Sequence, residues 1–153
     1  MKIWVDADAC PVVIKDILYK AAKRTQITTT FVANQYQRIP ASPWLKFIKV
    51  NAGFDVADNT IVEKVQNNDL VISSDIPLAN DVINKGAQVL SPRGELLTTD
   101  NIAARLTMRN FMDTLRSSGV DTGGEAPMNH SDRMAFANQL DKILSKQYPR
   151  KNP

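Results

Sequence analysis

Eleven residues at the N-terminus, Met-Lys-Ile-Trp-Val-Asp-Ala-Asp-Ala-Cys-Pro, constrain this chain more than any other stretch. Ile3, Trp4 and Val5 form a short apolar run of β-favouring side chains, the kind buried on both faces in a parallel sheet. Asp6 and Asp8 come directly after it, then Pro11 and a helical pattern. A strand that delivers carboxylates to its C-terminal end, just before a helix, places charge at the edge where open α/β sheets keep their ligand sites.

The rest of the chain repeats that alternation. Ile14, Ile17, Leu18, Ala21 and Ala22 recur at helical spacing with lysines between them, and Pro11 suits the first turn. Residues 27–33 read as a β-branched strand, 34–43 as a loop with two prolines, and 44–50 as a weaker strand. After the break at 51–53 comes a short helix carrying Ile61, Val62 and Val65, a turn at 67–69, and a buried strand at 70–72 that ends in Ser73-Ser74-Asp75. Pro77 opens a further helix that stops at Gly86, and Val89 and Leu90 make a last strand. Two helices, 101–118 and 131–147, flank a Gly/Pro-containing loop. Such alternation predicts right-handed crossovers and a three-layer α/β/α fold around a central, mainly parallel sheet. The expected organisation is one domain, 1–148, with 98–148 as a helical appendage, and then a basic tail at 149–153.

At 153 residues the chain is long enough to bury a sizeable core. No apolar run approaches the roughly 18–20 residues of a membrane span. Asp6 ends the N-terminal run after three residues, which is no secretory pattern. The expectation is therefore a cytoplasmic protein with no membrane partner, and a homodimer is left open. One cysteine, Cys10, excludes an internal disulfide, and one histidine, His130, excludes most zinc centres. The net charge of +3 is unevenly spread. Residues 1–50 carry eight Lys/Arg against three Asp/Glu, residues 51–92 two against six, and residues 93–153 nine against seven. An acidic middle between basic flanks suits a metal-loaded pocket rimmed by anion-attracting surface, and equally a solvated surface of uneven charge.

Two strands end in acid, at Asp6 and at Asp75. If they are neighbours in a parallel sheet, both carboxylates enter one crevice. Asp8 adds a third from the turn, Asp55 and Asp58 begin a short helix at the same edge, and Asp81 lies on the helix after Asp75. Crowded carboxylates repel one another, and a shared divalent cation relieves this. An all-oxygen set without His or Cys favours Mg²⁺ or Mn²⁺, metals that serve phosphodiester hydrolysis. Each acid also has a local reading. Asp75 and Asp8 suit helix caps, the dipole favours Asp55 and Asp58 in a first turn, and Asp81 suits an exposed helix face.

The motifs Val5-Asp6-Ala7-Asp8-Ala9-Cys10-Pro11-Val12, Asn34, Phe54-Asp55-Val56-Ala57-Asp58-Asn59-Thr60-Ile61, Ser74-Asp75-Ile76-Pro77-Leu78-Ala79, Arg93-Gly94, Gly123-Gly124 and Asp132-Arg133 with Phe136 occur in this order. Over nearly its whole length the chain thereby resembles the YaiI/YqxD family of uncharacterised bacterial proteins. That family is in turn similar to PIN-like domains, three-layer α/β nucleases with an acidic metal-binding pocket. The resemblance implies a bacterial protein with a metal-dependent nuclease site, and the leading expectation is a phosphodiesterase acting on RNA rather than DNA. It implies Asp6, Asp58 and Asp75 as catalytic ligands of Mg²⁺ or Mn²⁺, with Asp8, Asp55 and Asp81 as helpers. PIN-like sites hold a fourth acid soon after the third, and Asp81 is spaced loosely for that place.

Several groups could hold a phosphate. Arg105, Arg109 and Arg116 fall within about 40° of one another on a helix. They either reach past the apolar residues beside them to phosphates or pair with acids at the surface. The family match adds Arg93, Arg133 and Asn34. Tyr36, Arg38, Trp44, Lys46 and Phe47 interleave aromatics and cations as single-stranded nucleic acid favours, or they pack under their own loop. Cys10 suits a small buried filler, or a thiol activated at a helix start. Two other functions compete with a nuclease. One is a non-catalytic RNA-binding or interaction module. The other is a phosphotransferase of the haloacid dehalogenase type, whose Asp-x-Asp start Asp6-Ala7-Asp8 resembles, although Cys10 stands where that family has Thr or Val.

Overall fold

The computed structural model describes residues 1–53, 55–124 and 126–147. Phe54, Glu125 and residues 148–153 lie outside them, and with them one motif residue and the expected basic tail. The first strand, β1 (Ile3–Asp6), is buried along its whole length. A 3-10 turn at Ala7–Ala9 leads into α1 (Val12–Thr25), with Pro11 at its N-cap and Gln26 closing it in the left-handed conformation. Then come β2 (Thr29–Ala33), β3 (Leu45–Lys49), α2 (Val56–Lys64), β4 (Leu70–Ile72), α3 (Ile76–Asn84), β5 (Gln88–Leu90), β6 (Leu96–Leu97), α4 (Ile102–Ser117) and α5 (His130–Gln147).

The sheet runs β3-β2-β1-β4-β5-β6. All neighbours pair parallel except β5 with β6, which run antiparallel. The chain winds outward from β1 to β2 and β3, then returns to lay β4 on the other side of β1. The two halves of the sheet therefore diverge between β1 and β4, the position at which open α/β sheets leave a crevice at their strand ends.

Alternating side chains of the strands feed two cores. Ile3 and Val5 point into one, with Ile14, Leu18, Ala21 and Ala22 of α1 and Phe136, Leu140, Ile143 and Leu144 of α5. Trp4 points into the other, with Ile61 of α2, Leu78, Ala79, Val82 and Ile83 of α3, and Ile102 of α4. This is the expected three-layer α/β/α arrangement. Among the described residues, no helix is long and apolar enough to cross a membrane.

One feature departs from the sequence reading. The strand at 89–90 is not the last, because Ser91-Pro92-Arg93-Gly94 turns the chain back into β6. Two residues are too short for a periodic signal. The two C-terminal helices differ in kind. The α5 helix completes a core, whereas α4 buries only Ile102 and leaves Met108 and Phe111 more than half exposed. Gly94 fixes how α5 sits: its φ is +90°, and a Cβ there would lie 2.6–2.8 Å from the backbone of Ala135 and Phe136 and the Ala135 methyl.

At the N-terminal ends of β1 and β4, Asp69 is almost fully buried. Its carboxylate accepts from the Lys2 amide at 2.9 Å, the Trp4 Nε1 at 3.1 Å and the Gln66 amide at 2.9 Å. The turn at 67–69 thus holds a structural acid at the opposite end of these strands from Asp6 and Asp75. Asp69→Ala strips three N–H groups of their acceptor and is expected to lower unfolding free energy by about 3 kcal/mol. Urea unfolding checks this as a lower midpoint at unchanged slope.

Candidate functional site

The parallel pairing of Ile3, Trp4 and Val5 with Leu70, Val71 and Ile72 sets the ends of β1 and β4 side by side. Asp6 ends β1, and Ser73 to Asp75 come directly after β4. Ser73, itself buried, joins them: its hydroxyl donates to Asp6 Oδ2 at 3.0 Å and accepts from the Asp75 amide at 3.0 Å. Asp75 caps α3, its Oδ1 accepting from the Leu78 amide at 3.0 Å. The cap and the crevice are thus served by one carboxylate.

Asp58 enters from the first turn of α2 and shares a side-chain hydrogen bond with Asp75. Burial, the bond to Asp75 and the charges of Asp75, Asp6 and Asp55 together push its carboxyl up to about 7. Below about pH 7 Asp58 therefore tends to hold a proton, which it donates to Asp75. The Asp6 carboxyl is also raised, first by burial and then by Asp75 and Asp8, against the lowering effect of the Ser73 hydroxyl. Among the described residues, no cation is among the groups that set either acid. The cluster relieves its own repulsion through the proton on Asp58 and the Ser73 hydroxyl on Asp6.

The other expected residues divide. Asp8 is exposed and does not cap α1; its Oδ2 accepts from the Asn34 amide at 2.8 Å, tying the end of β2 to the turn. Asn34 thus meets the acids through its backbone. Asp55 is exposed at the N-cap of α2 in the left-handed conformation, φ 62°, and makes no capping bond with its side chain. Asp81 is exposed on α3 and is not among the charges acting on Asp6 or Asp58. Among the described residues, no three His, Cys, Asp or Glu side chains stand close enough to hold an ion as they are.

The arginines are engaged elsewhere. Arg93 pairs with Asp132 at 2.8 Å and donates to the Ala126 carbonyl. Arg105 pairs with Glu95, while Arg109 and Arg116 both pair with Asp113 at 3.3 and 2.7 Å. The stripe on α4 is therefore a surface ion-pair network and does not reach into the crevice. Arg133 is exposed on α5 and lines a groove with Val13, Ile17 and His130. Burial pushes the Cys10 thiol up to about 12, so it is a filler and not an activated nucleophile. Tyr36 packs edge-on against Phe47 with ring centres 5.4 Å apart, and Trp44 and Phe47 lean on the core.

Ser73 is a site residue that sequence reasoning does not single out. Its signal is a hydroxyl between a buried strand and an acid, and that pattern also describes any polar strand end.

The family model described as "Uncharacterized BCR, YaiI/YqxD family" matches residues 4–146. A UPF0178 protein of Shewanella amazonensis is 61% identical over 146 residues, 95% of this chain and 98% of its own length. One of Hydrogenovibrio crunogenus is 62% identical over 146 residues, 95% and 97% of the two chains. One of Proteus mirabilis is 58% identical over 151 residues, 99% and 100%. No solved structure gives a significant match.

The Asp58 proton makes stability depend on pH. Its carboxyl titrates at about 7 in the folded chain, against 3.8 for an unperturbed aspartate. Between those values the folded state binds more protons than the unfolded state, so stability falls as pH rises. Asp58→Asn keeps a donor to Asp75 and removes the titration. Without divalent cations, thermal melts should show a higher Tm for this variant than for wild type at pH 8, and no difference of that sign at pH 4. Ser73→Ala should raise the Asp6 pKa further, as read by carboxyl carbon NMR.

Proposed function

The chain belongs to the YaiI/YqxD family, and we propose that it is a metal-dependent phosphodiesterase that cleaves RNA at the aspartates between β1 and β4. The observation that carries this is the crowding of Asp6, Asp58 and Asp75 at the sheet's switch point, severe enough to hold Asp58 protonated to about 7. Among the described residues no cation acts on Asp6 or Asp58, and partly buried carboxylates crowded in this way are costly.

The donor set fits Mg²⁺ or Mn²⁺, because it is all carboxylate oxygen with no soft ligand. Asp6 and Asp75 would hold the ion, joined by Asp58 once it gives up its proton, with Asp8 and Asp55 at the margin. Such an ion supplies an activated water and a counter-charge for the phosphate. The chain's own part is orientation. Ser73 holds Asp6 in place, the α3 cap fixes one oxygen of Asp75, and Asp58 exchanges a proton with the crevice near neutral pH. The PIN-like resemblance carried by the same aspartates supports nuclease chemistry, and the basic flanks support an anionic polymer as substrate.

A second function is favoured by one observation. The acids as they stand share a proton and do not converge on an ion. A module that binds RNA without cutting it would keep them so.

Titration calorimetry with Mn²⁺ and Mg²⁺, with and without an oligoribonucleotide, separates the two. A nuclease should bind metal in a manner lost in Asp6→Asn. That variant should cleave RNA about a hundredfold or more slowly, the scale on which one electrostatic partner of a transition state is felt. Salt-dependent RNA affinity with no metal binding and no cleavage assigns the binding module instead.

A further inference from the structure

A cavity of about 340 Å³ opens beside the aspartates, lined by Ala9, Pro11, Ser74, Ser91, Pro92, Arg93 and Met128. Two of its lining residues are sequence neighbours of the acids, Ala9 coming after Asp8 and Ser74 preceding Asp75. It therefore lies at the C-terminal ends of β1, β4 and β5, on the β5 side of the crevice. Its size is at the lower end of small-molecule sites, about 300–1,000 Å³.

The lining favours one chemistry. Two proline rings, the Ala9 methyl and the Met128 thioether present carbon and sulfur faces, against which a flat heteroaromatic ring packs well. Ser74 and Ser91 add hydroxyls that donate or accept, and such groups read a ring's polar edge. The Ser91 oxygen accepts from the Glu95 amide at 3.1 Å, which holds it in place. The cation of the cavity, Arg93, is already neutralised by Asp132. A phosphate would thus meet a compensated guanidinium and neighbouring carboxylates, whereas a neutral base meets neither penalty.

We propose that this cavity takes the base of the nucleotide next to the phosphate held at the aspartates, making it a base-binding subsite for single-stranded RNA. Bases of single strands are free to leave the stack and enter such pockets, while those of a duplex are not. The inference rests on the nuclease function proposed above and adds its substrate class, an unpaired strand. Arg93 shapes the subsite: through Asp132 and the Ala126 carbonyl it draws the chain on either side of Met128 toward the cavity.

Met128 is also the probe. The chain has five methionines, so ¹³C-methyl labelling gives a short spectrum in which Met128 is assigned by Met128→Leu. The full chain, free of divalent cations, is titrated with AMP and CMP, and separately with ribose 5-phosphate and inorganic phosphate. Both mononucleotides should move the Met128 methyl upfield through the ring current of the base and leave Met108 and Met112 in place. The sugar phosphate and phosphate should leave Met128 unmoved. Ala9→Phe fills the cavity and should weaken mononucleotide binding about tenfold or more. Ser74→Ala, which removes the hydroxyl and adds no bulk, should weaken it severalfold and serves if Ala9→Phe does not fold.

A Met128 methyl indifferent to mononucleotides, or moved equally by ribose 5-phosphate, overturns the subsite. So does unchanged affinity in the folded variants. Asp6→Asn should keep the full Met128 response. Cleavage surviving in Asp6→Asn would then overturn the nuclease at these aspartates and leave the base pocket standing, whereas a silent Met128 with metal-dependent cleavage overturns the pocket alone.

Discussion

The pairing of β1 with β4 is the constraint on which the rest depends. It is parallel and in register from Ile3 with Leu70 to Val5 with Ile72, so the segments leaving the two strands emerge side by side. Asp6 closes one strand, and Ser73 to Asp75 continue from the other. The pairing is clamped at its far end by Asp69, whose carboxylate gathers N–H groups from Trp4 on one strand, from Lys2 just ahead of it and from Gln66 ahead of the other. The clamp satisfies one acid at one end of these strands, while the acids at the other end crowd one another.

Crowded carboxylates in a half-buried crevice have few ways to lower their repulsion. They can bind a cation, accept hydrogen bonds, or keep protons. This chain uses the second and third: Ser73 donates to Asp6, the Leu78 amide donates to Asp75, and Asp58 retains a proton that it shares with Asp75. Among the described residues, neither Asp6 nor Asp58 draws on an arginine or lysine. The cationic side chains pair instead with acids outside the cluster, Asp113, Asp132 and Glu95 among them. A charge distribution of that kind suits a site that receives its counter-charge from outside.

Much of this is legible in the sequence, for definite reasons. Buried parallel strands read as unbroken apolar runs, so Ile3 to Val5 and Leu70 to Ile72 announce themselves. The acids that end them share a topology, which no single aspartate could convey. The features that stay hidden depend on contacts between residues far apart in the chain. Asp69 reads as a turn because its partners Lys2 and Trp4 lie more than sixty residues away. The arginines of α4 have the spacing of a stripe, but spacing does not say which side of a helix faces the molecule, and here it faces water. Asp8 has the position of a cap and instead ties to Asn34, a choice made by β2 rather than by its neighbours. The family resemblance is carried by the same residues, and the family match spans 4–146.

The placement of α5 links the last part of the chain to the first. Gly94 admits the α5 backbone at a distance no side chain would allow, and Phe136 of that helix is fully buried against the β1 core. The turn at 91–94 is therefore fixed from below by β5 and β6 and from the side by α5. Arg93, one residue earlier, adds an ion pair to Asp132 on the same helix. Any substitution that enlarges Gly94 must push α5 away, and with it Asp132, Arg93 and the wall of the cavity beside the aspartates. The Arg93-Gly94 pair thus ties α5 to the turn at 91–94: the glycine sets how close the helix comes, and the arginine bonds to Asp132 on that helix while lining the cavity.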